Sequence, residues 1–264
     1  MSAVLLAIEA LGGLCAVFLA VYLLARALDN YGIVDVAWSY AFGALAAAYA
    51  LAGPGWPARR ALLAALAVVW SGRLGTHLLL RVAGQHPEED GRYRQLRREW
   101  GRAFRRRMAG FFQLQALSVV ILGLPFLLIC LNPAPAFGAA EWAGAALWLV
   151  AISGEALADA QLAAFKRRGA QAGPVCDVGL WRYSRHPNYF FEWLIWVGFA
   201  LLATGSPHGW IGFLSPAGIL YLLLRVTGIP GTEEQALRTK GAAYRRYQER
   251  TSAFVPLPPR TPRP

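Results

Sequence analysis

Ionisable side chains within long apolar stretches are the residues of this sequence best suited to chemistry. Asp35 lies in one such stretch, one helical turn before Trp38. In the next stretch, Trp70, Arg73 and His77 occur at positions i, i+3 and i+7, a spacing that places all three on one face of a helix. An ionisable side chain in the middle of a bilayer costs about 2.5–3.5 kcal/mol, so each of these residues predicts a functional role.

A second group of polar side chains occurs later in the chain. Glu155 and Asp159 are four residues apart, as a pair on one helix face would be, and Lys166 follows them. The segment 182–189 has the sequence Arg-Tyr-Ser-Arg-His-Pro-Asn-Tyr, and Glu192 lies one turn after its asparagine. The structural alternative for each acid is an ion pair with one arginine that holds two helices together.

Taken together, these side chains predict a polar cavity with a positively charged mouth. Arginine and lysine bind phosphates, and arginine can do so through two parallel hydrogen bonds. Tyrosine and tryptophan can stack on an adenine or nicotinamide ring, and a buried carboxylate can bind ribose hydroxyls. The chemistry therefore favours a charged, aromatic, phosphate-bearing ligand. The sequence has neither a Gly-x-Gly-x-x-Gly motif after a strand nor a phosphate-binding loop, which excludes a soluble-type nucleotide fold.

The elements that position these residues are predicted to be membrane-spanning helices. Of the 264 residues, 56% are hydrophobic and only 16% are charged, whereas a soluble domain carries about 25% charged residues. A spanning helix needs roughly 20 mostly apolar residues. We therefore predict an all-α integral membrane protein with seven transmembrane helices, in preference to a large soluble helical protein. The seven apolar runs are about 3–27, 31–52, 60–82, 111–132, 138–164, 187–205 and 209–228.

The distribution of positive charge predicts how these helices are oriented. The net charge is +11, and most of the 26 lysines and arginines lie in or near alternate connections. Because lysine and arginine are enriched in cytoplasmic loops, we predict an N-terminus outside and a C-terminus in the cytoplasm of the cell. The same charge also attracts anionic lipid. We expect a single membrane domain, 1–264, in the inner (plasma) membrane. Its cytoplasmic parts would be loops at about 84–108 and 166–186 and a tail at about 230–264.

Short turns alternate with long connections along the chain. Turn-forming residues cluster at 53–57, 132–135 and 205–207, which we assign to the outer face. The inner connections are longer, and the segments 91–100 and 232–254 have helical patterns with interspersed aromatic residues. Long inner connections suggest that the polar chemistry faces the cytoplasm.

The segment 179–189, together with Glu192, resembles the C-terminal signature of the steroid 5-alpha-reductase family. The tail at 244–256 is similar to the end of that family's members. The resemblance extends from about residue 30 to 257 and is greatest to a bacterial branch of membrane reductases. The Arg-His-Pro-x-Tyr core at 185–189 is shared with isoprenylcysteine carboxyl methyltransferases, so that core alone does not distinguish NADPH from S-adenosylmethionine.

The resemblance implies an oxidoreductase that acts on a CH–CH group with NADP. The reaction would be NADPH-dependent reduction of the C4–C5 double bond of 3-keto-Δ4 steroids or of similar enone lipids. Seven helices would hold NADPH in a cavity that faces the cytoplasm. Carried over by position, the cofactor-binding residues would be Glu155, Asp159, Lys166, Asn188 and Glu192, with Arg73, Arg94, Arg97, Arg98, Arg182 and Tyr183 as further candidates.

The catalytic residues follow the family pattern less closely. In the animal enzymes, a glutamate on the second helix and a tyrosine on the third bind the substrate carbonyl. Asp35 lies near the glutamate position, whereas Trp70 stands at the tyrosine position and cannot release a proton as a phenol does. We expect burial to keep Asp35 protonated, so that it donates to the developing enolate with help from Trp70 or Tyr40. The substrate would contact Trp38 and His77.

Two other functions stay open from the sequence. A membrane methyltransferase that uses S-adenosylmethionine is one, because methyltransferases of this kind also carry acids where Glu233 and Glu234 begin the tail. A lipid-binding or transport protein without catalysis is the other. We expect a monomer that contacts membrane lipid, with no nucleic-acid partner and no metal. The three cysteines, Cys15, Cys130 and Cys176, are too few and too scattered for a disulfide framework or a metal site.

Overall fold

A computed structural model describes residues 2–260, and every regular element in that range is helical. Short 3-10 turns lie at Gly101–Ala103, Gly169–Ala172, Gly179–Arg182 and Gly209–Phe213, and Leu222–Val226 forms one turn of π-helix. The α-helices are α1 (Ala3–Leu28), α2 (Ile33–Ala52), α3 (Pro57–Gln85), α4 (Gly91–Trp100), α5 (Phe104–Leu122), α6 (Leu124–Leu131), α7 (Ala139–Arg167), α8 (Pro187–Ala203), α9 (Leu214–Tyr221) and α10 (Ile229–Arg250).

Several of these helices have the length and composition of membrane spans, so the chain is a multi-pass membrane protein. Five helical segments qualify individually, and a bent pair formed by Gly91–Leu122 and Leu124–Leu131 makes a sixth if it counts as one span. The five are Ala3–Leu28, Ile33–Ala52, Pro57–Gln85, Ala139–Arg167 and Gly209–Arg250. The remaining apolar run, predicted at 187–205, forms α8, which has 17 residues.

The run predicted at 111–132 is not one straight helix, because the chain bends by 40° between α5 and α6. Pro125 lies in the first turn of α6, where its missing N–H leaves no helical donor unsatisfied. The N–H of Gly123 still bonds to the carbonyl of Val119 at 2.8 Å and ends α5. A Cβ atom at Gly123 would lie 2.5 Å from Cδ2 of Leu45 and 2.8 Å from the carbonyl oxygen of Val119, so a larger residue here would force its neighbours to shift.

The chain divides into two compact units, of which the first comprises 1–137 and 205–211. The predicted outer turns meet within this unit. The N–H groups of Gly55 and Trp56 bond to the carbonyls of Cys130 and Asn132, each at 2.9 Å. The buried guanidinium of Arg59 donates to backbone carbonyls of the turn after α6 and lies 5.6 Å from the centre of the Trp56 ring. This arginine therefore joins two turns.

The second unit comprises 138–204 and 212–264, and its main packing is that of α7 against α8. The two helices approach closely at Gly144 and Gly198. A Cβ atom at Gly144 would lie 2.7 Å from the carbonyl oxygen of Gly198, and one at Gly198 would lie 3.0 Å from the carbonyl oxygen of Gly144. Small residues allow this close approach, as is common between membrane helices.

The two helical patterns predicted outside the spans are present. The segment 91–100 is α4, as predicted. The tail helix α10 starts at Ile229 and ends at Arg250, slightly earlier than the predicted 232–254. It bends at Gly241, whose φ of 52° is strained for any residue with a side chain. After α10 the chain is extended, and the N–H of Leu257 bonds to the carbonyl of Tyr183 at 2.9 Å.

Candidate functional site

In the first unit, an aspartate of α2 is bound by two consecutive residues of α4. Nη2 of Arg92 lies 2.8 Å from both carboxylate oxygens of Asp35, and the guanidinium lies 4.7 Å from the centre of the Tyr93 ring. The hydroxyl of Tyr93, a fully buried residue, donates a 2.9 Å hydrogen bond to Asp35 Oδ1. Asp35 therefore accepts hydrogen bonds from a guanidinium and a phenol, whereas from the sequence we expected a carboxyl group that donates.

Sequence reasoning did not single out Arg92 or Tyr93. The signal available was the mixed aromatic and charged character of 91–100, which predicts a helix but not what it contacts. Local capping helps to fix the start of α4, because Asp90 Oδ1 accepts a 2.9 Å hydrogen bond from the Arg92 N–H. Tyr93 thus places a phenol beside Asp35, on α4 and not on α3, where Trp70 stands.

A second ionic cluster attaches α4 to the connection between α1 and α2. Arg97 donates to Asp29 at 3.0 Å and to Glu89 at 3.3 Å, and its guanidinium lies 4.8 Å from the centre of the Phe104 ring. The buried Glu89 also accepts the Tyr31 N–H at 2.9 Å. Arg97 was expected from the sequence to bind the cofactor. In the structure its guanidinium instead contacts three residues of the protein, Asp29, Glu89 and Phe104. Arg94 and Arg98 of the same helix are exposed.

The aromatic residues predicted near the substrate pack between α2, α3 and α5. The Trp38 indole N–H donates to Ser118 Oγ at 2.9 Å. The Tyr40 hydroxyl lies 2.8 Å from Thr76 Oγ1, and its ring crosses α3 where Gly75 leaves room for it. Trp70 is fully buried against Phe42. On the same helix, Arg73 is half-buried and His77 is exposed.

In the second unit, three acids and an amide predicted to bind the cofactor lie on α7 and α8. Asn188 Nδ2 lies 3.5 Å from Asp159 Oδ1, at the outer limit of a hydrogen bond. Glu155 is buried one turn before Asp159. Glu192 accepts a 3.0 Å hydrogen bond from the indole N–H of Trp196. The structure therefore brings Asp159 and Asn188 together. The other candidates of this unit, Lys166, Arg182 and Tyr183, are exposed.

The Arg-His-Pro core before α8 is bound to the tail helix through Glu233. Arg185 Nε donates to Glu233 Oε1 at 2.6 Å, and Nε2 of the buried His186 lies 3.3 Å from the same oxygen. Gln248 donates to the other oxygen at 2.9 Å. Arg185 also donates to the carbonyls of Gln248 and Thr251. Glu233 thus joins the Arg-His-Pro core to α10, a role that its position in the sequence does not reveal.

Two further kinds of reactive side chain can be located in the part of the chain that the structure describes. Within residues 2–260, no group of three or more His, Cys, Asp and Glu side chains is placed to hold a metal ion. Burial raises the pKa of the Cys176 thiol, which therefore stays neutral at physiological pH.

Fold and site together define a multi-pass helical membrane protein with clusters of carboxylates, arginines and tyrosines. The chain belongs to the family described as Protein of unknown function (DUF1295), which matches residues 21–251. An uncharacterized protein of Schizosaccharomyces pombe is 27% identical over 228 residues, a match that covers 75% of this chain and 63% of that relative. The chain thus spans less than two thirds of the length of the yeast protein. No solved structure matches it.

Proposed function

We propose that this protein uses NADPH to reduce a carbon–carbon double bond conjugated to a ketone in a membrane-soluble substrate. The proposed substrates are 3-keto-Δ4 steroids or similar enone lipids, and in a steroid the reduced bond is C4–C5. The observation that carries the proposal is the buried Tyr93 phenol hydrogen-bonded to Asp35. A phenol in a buried site is a suitable donor to a carbonyl oxygen that gains negative charge during reduction.

The reaction needs a hydride at the β-carbon and a proton at the α-carbon. NADPH, when bound, supplies the hydride. As the hydride adds, the electron pair of the double bond moves toward the carbonyl oxygen and forms an enolate, which Tyr93 stabilises. Its hydroxyl can rotate about the C–O bond and exchange Asp35 for the carbonyl as acceptor, while Arg92 keeps the carboxylate paired. A proton from solvent then adds to the α-carbon and restores the ketone.

The other substrate-side residues have supporting roles in this proposal, and that of Asp35 differs from the donor role expected from the sequence. Asp35 orients the phenol and balances the charge of Arg92. Trp70 and Tyr40 are additional neutral donors, and Trp38 and His77 contact the substrate. Hydrogen bonds hold Trp38 toward α5 and Tyr40 toward α3, so each ring is a fixed surface against which a flat lipid can pack.

The cofactor proposal rests on side chains of the second unit that suit a dinucleotide. Asp159 and Asn188 can bind ribose hydroxyls or the carboxamide, since one accepts hydrogen bonds and the other does both. Lys240 lies close enough to Lys166 for the two positive charges to repel each other, and a phosphate between them would relieve that repulsion. Glu155 and Glu192 complete this set. Arg182 and Tyr183 of the same unit are further cofactor candidates.

The membrane arrangement is part of the same proposal. We assign α8 as a seventh span, because 17 residues are at the short end of the range for a transmembrane helix. With seven spans, the N-terminus lies outside and the tail lies in the cytoplasm, on the side rich in arginine. The protein would be a monomer in the inner membrane, and NADPH would reach it from the cytoplasm.

The methyltransferase alternative depends on acids at the start of the tail. Glu233 is one of them, and Arg185, His186 and Gln248 already bind its carboxylate. A ligand ammonium or sulfonium group would have to displace these partners. The contacts therefore favour a structural role for Glu233 and support the reductase over the methyltransferase.

Thermal unfolding of the detergent-solubilised protein with NADPH, NADH and S-adenosylmethionine in parallel tests the cofactor. A ligand at 100 times its Kd stabilises the folded state by about 2.7 kcal/mol. We expect NADPH to raise the unfolding temperature more than NADH, because the extra phosphate can bind Lys166 and Lys240. Equal increases in unfolding temperature with NADPH and NADH would show that the extra phosphate does not contribute to binding. A shift with S-adenosylmethionine alone would overturn the reductase proposal.

A further inference from the structure

A groove runs along the first unit between α1 and α5. It has a volume of about 450 Å³ and is lined by Cys15, Ala16, Leu19, Ala109, Gly110 and Gln113. The lining is mainly apolar, and a Cβ atom added at Gly110 would meet nothing within 4 Å. On one side of the groove, Gln113 donates to the carbonyl of Cys15 at 3.4 Å. The groove is therefore an open, mainly apolar depression between two helices that a hydrogen bond joins.

Each of the two helix faces that line the groove also carries an arginine beyond the lining residues. On α5, Arg106 precedes Ala109, Gly110 and Gln113 by three, four and seven residues, so all four share one face. On α1, Arg26 follows Leu19 by seven residues and lies on the same face as that residue. The arginine-bearing ends of these two helix faces lie side by side, because the hydroxyl of Tyr22 on α1 donates to the carbonyl of Arg105 on α5 at 3.0 Å.

Positive charge is concentrated at this end of the groove. Arg26, Arg102, Arg105 and Arg106 are all exposed. None of the ion pairs formed among residues 2–260 involves any of these four side chains. Three consecutive arginines also occupy the first turn of α5, where the helix dipole disfavours cations and favours an anion.

We propose that this groove binds one anionic phospholipid, with an acyl chain along Leu19 and Gly110 and the phosphate at Arg26 and Arg106. The apolar length of the groove suits a hydrocarbon chain, and the adjacent unpaired guanidinium groups suit a phosphate. A free anion would use only the charged end, and a neutral lipid would use only the apolar part. A phospholipid with a negative headgroup matches both.

Lipid binding to the purified full-length protein in detergent tests this site. The probes are phosphatidylglycerol, phosphatidylcholine with the same acyl chains, and inorganic phosphate, each titrated while thermal unfolding is followed. We expect phosphatidylglycerol to stabilise the wild type most and inorganic phosphate to have no effect. Arg26→Gln and Arg106→Gln should each weaken phosphatidylglycerol binding about fivefold, since each basic side chain contributes about 1 kcal/mol to binding an anionic lipid surface.

Filling the groove separates this site from general attraction to anionic lipid. Gly110→Leu places a side chain in the open space and should abolish the preference for phosphatidylglycerol. Gly13→Leu is the matched control, because its added Cβ also meets nothing within 4 Å but Gly13 does not line the groove. Arg246→Gln, an exposed change on α10, controls for net charge. Equal stabilisation by both lipids, stabilisation by phosphate alone, or an unchanged preference in Gly110→Leu would overturn the proposal.

Discussion

The hydroxyl of Tyr93 lies 2.9 Å from Oδ1 of Asp35, although 58 residues separate the two in the chain. The contact joins the first turn of α2 to a short polar helix outside the apolar spans. Arg92, the neighbour of Tyr93, pairs with the same carboxylate. A phenol, a carboxylate and a guanidinium are therefore held together in one small cluster, which is the proposed catalytic centre.

The first prediction concerns the phenol. Tyr93→Phe removes the proposed donor to the enolate, and the loss of one such donor typically lowers kcat by about 10²–10³. NADPH binding should be unchanged. Stability should fall by about 0.5–1.5 kcal/mol, as for any lost hydrogen bond. Steady-state reduction of a 3-keto-Δ4 steroid and thermal unfolding measure the two effects.

Tyr22→Phe is the matched control for this variant. It also removes a buried tyrosine hydroxyl that donates a hydrogen bond, here to the carbonyl of Arg105. A similar loss of stability with full activity is expected. If Tyr93→Phe turns over like Tyr22→Phe, the phenol is not the donor.

The second prediction concerns Asp35 as the partner of Tyr93. Asp35→Asn keeps the shape but loses the charge that binds Arg92, so turnover should fall sharply while NADPH binding persists. Residues that act as one unit are not additive. The double variant Asp35→Asn/Tyr93→Phe should therefore be no slower than the slower single variant. Trp70→Phe should have a smaller effect, because it removes one neutral donor and keeps most of the packing. Additive losses in the double variant would mean that the two residues act independently.

The third prediction concerns cofactor binding by α7 and α8. Asp159→Ala, Asn188→Ala and Glu192→Ala should each weaken NADPH binding by about 1–3 kcal/mol, as expected when a buried ligand group loses a hydrogen bond. Titration of NADPH by calorimetry measures this. Ser153→Ala on the exposed side of α7 is the control, since its hydroxyl bonds only to the carbonyl of Leu149. Variants that bind NADPH normally but unfold more easily would show that these residues only hold the helices together.

The fourth prediction separates two roles for the arginines of α4. Arg97→Gln should lower the free energy of unfolding by about 1.5–3 kcal/mol, because hydrogen bonds to the charged Asp29 and Glu89 are lost. The exposed Arg94→Gln and Arg98→Gln should change stability by less than about 0.5 kcal/mol. Chemical denaturation measures the free energy of unfolding of the three variants and so ranks them. If Arg97→Gln is as stable as the other two, the ionic cluster does not hold α4 in place.

The sequence predicted the fold class and most helices, since apolar runs and a helical polar segment are local features. The break at Gly123 was missed, because one proline in an apolar run predicts a possible bend but not whether it occurs. Arg59 was not identified from the sequence, yet it is buried and joins two turns. That role depends on carbonyls more than seventy residues away, which no local pattern indicates.

For the candidate site, the sequence indicated residues but not their contacts. The sequence indicated Asp159 and Asn188 as separate cofactor candidates, and the structure places them 3.5 Å apart, a contact that was not predicted. The partner of Asp35 could not be predicted, because it lies on a separate helix whose position depends on the contacts of Arg97. Nor does the sequence reveal that Glu233 binds Arg185. Ion pairs between residues far apart in the chain could not be predicted from composition and spacing.

The most direct test of the account is isotope transfer in a single turnover. The purified protein would be mixed with a 3-keto-Δ4 steroid and NADPH that carries deuterium at the transferable C4 position, and the product would be analysed by mass spectrometry. The account predicts a reduced steroid that contains one deuterium at the β-carbon of the former enone, C5. Recovery of unreduced steroid, or of a product without deuterium, would contradict it.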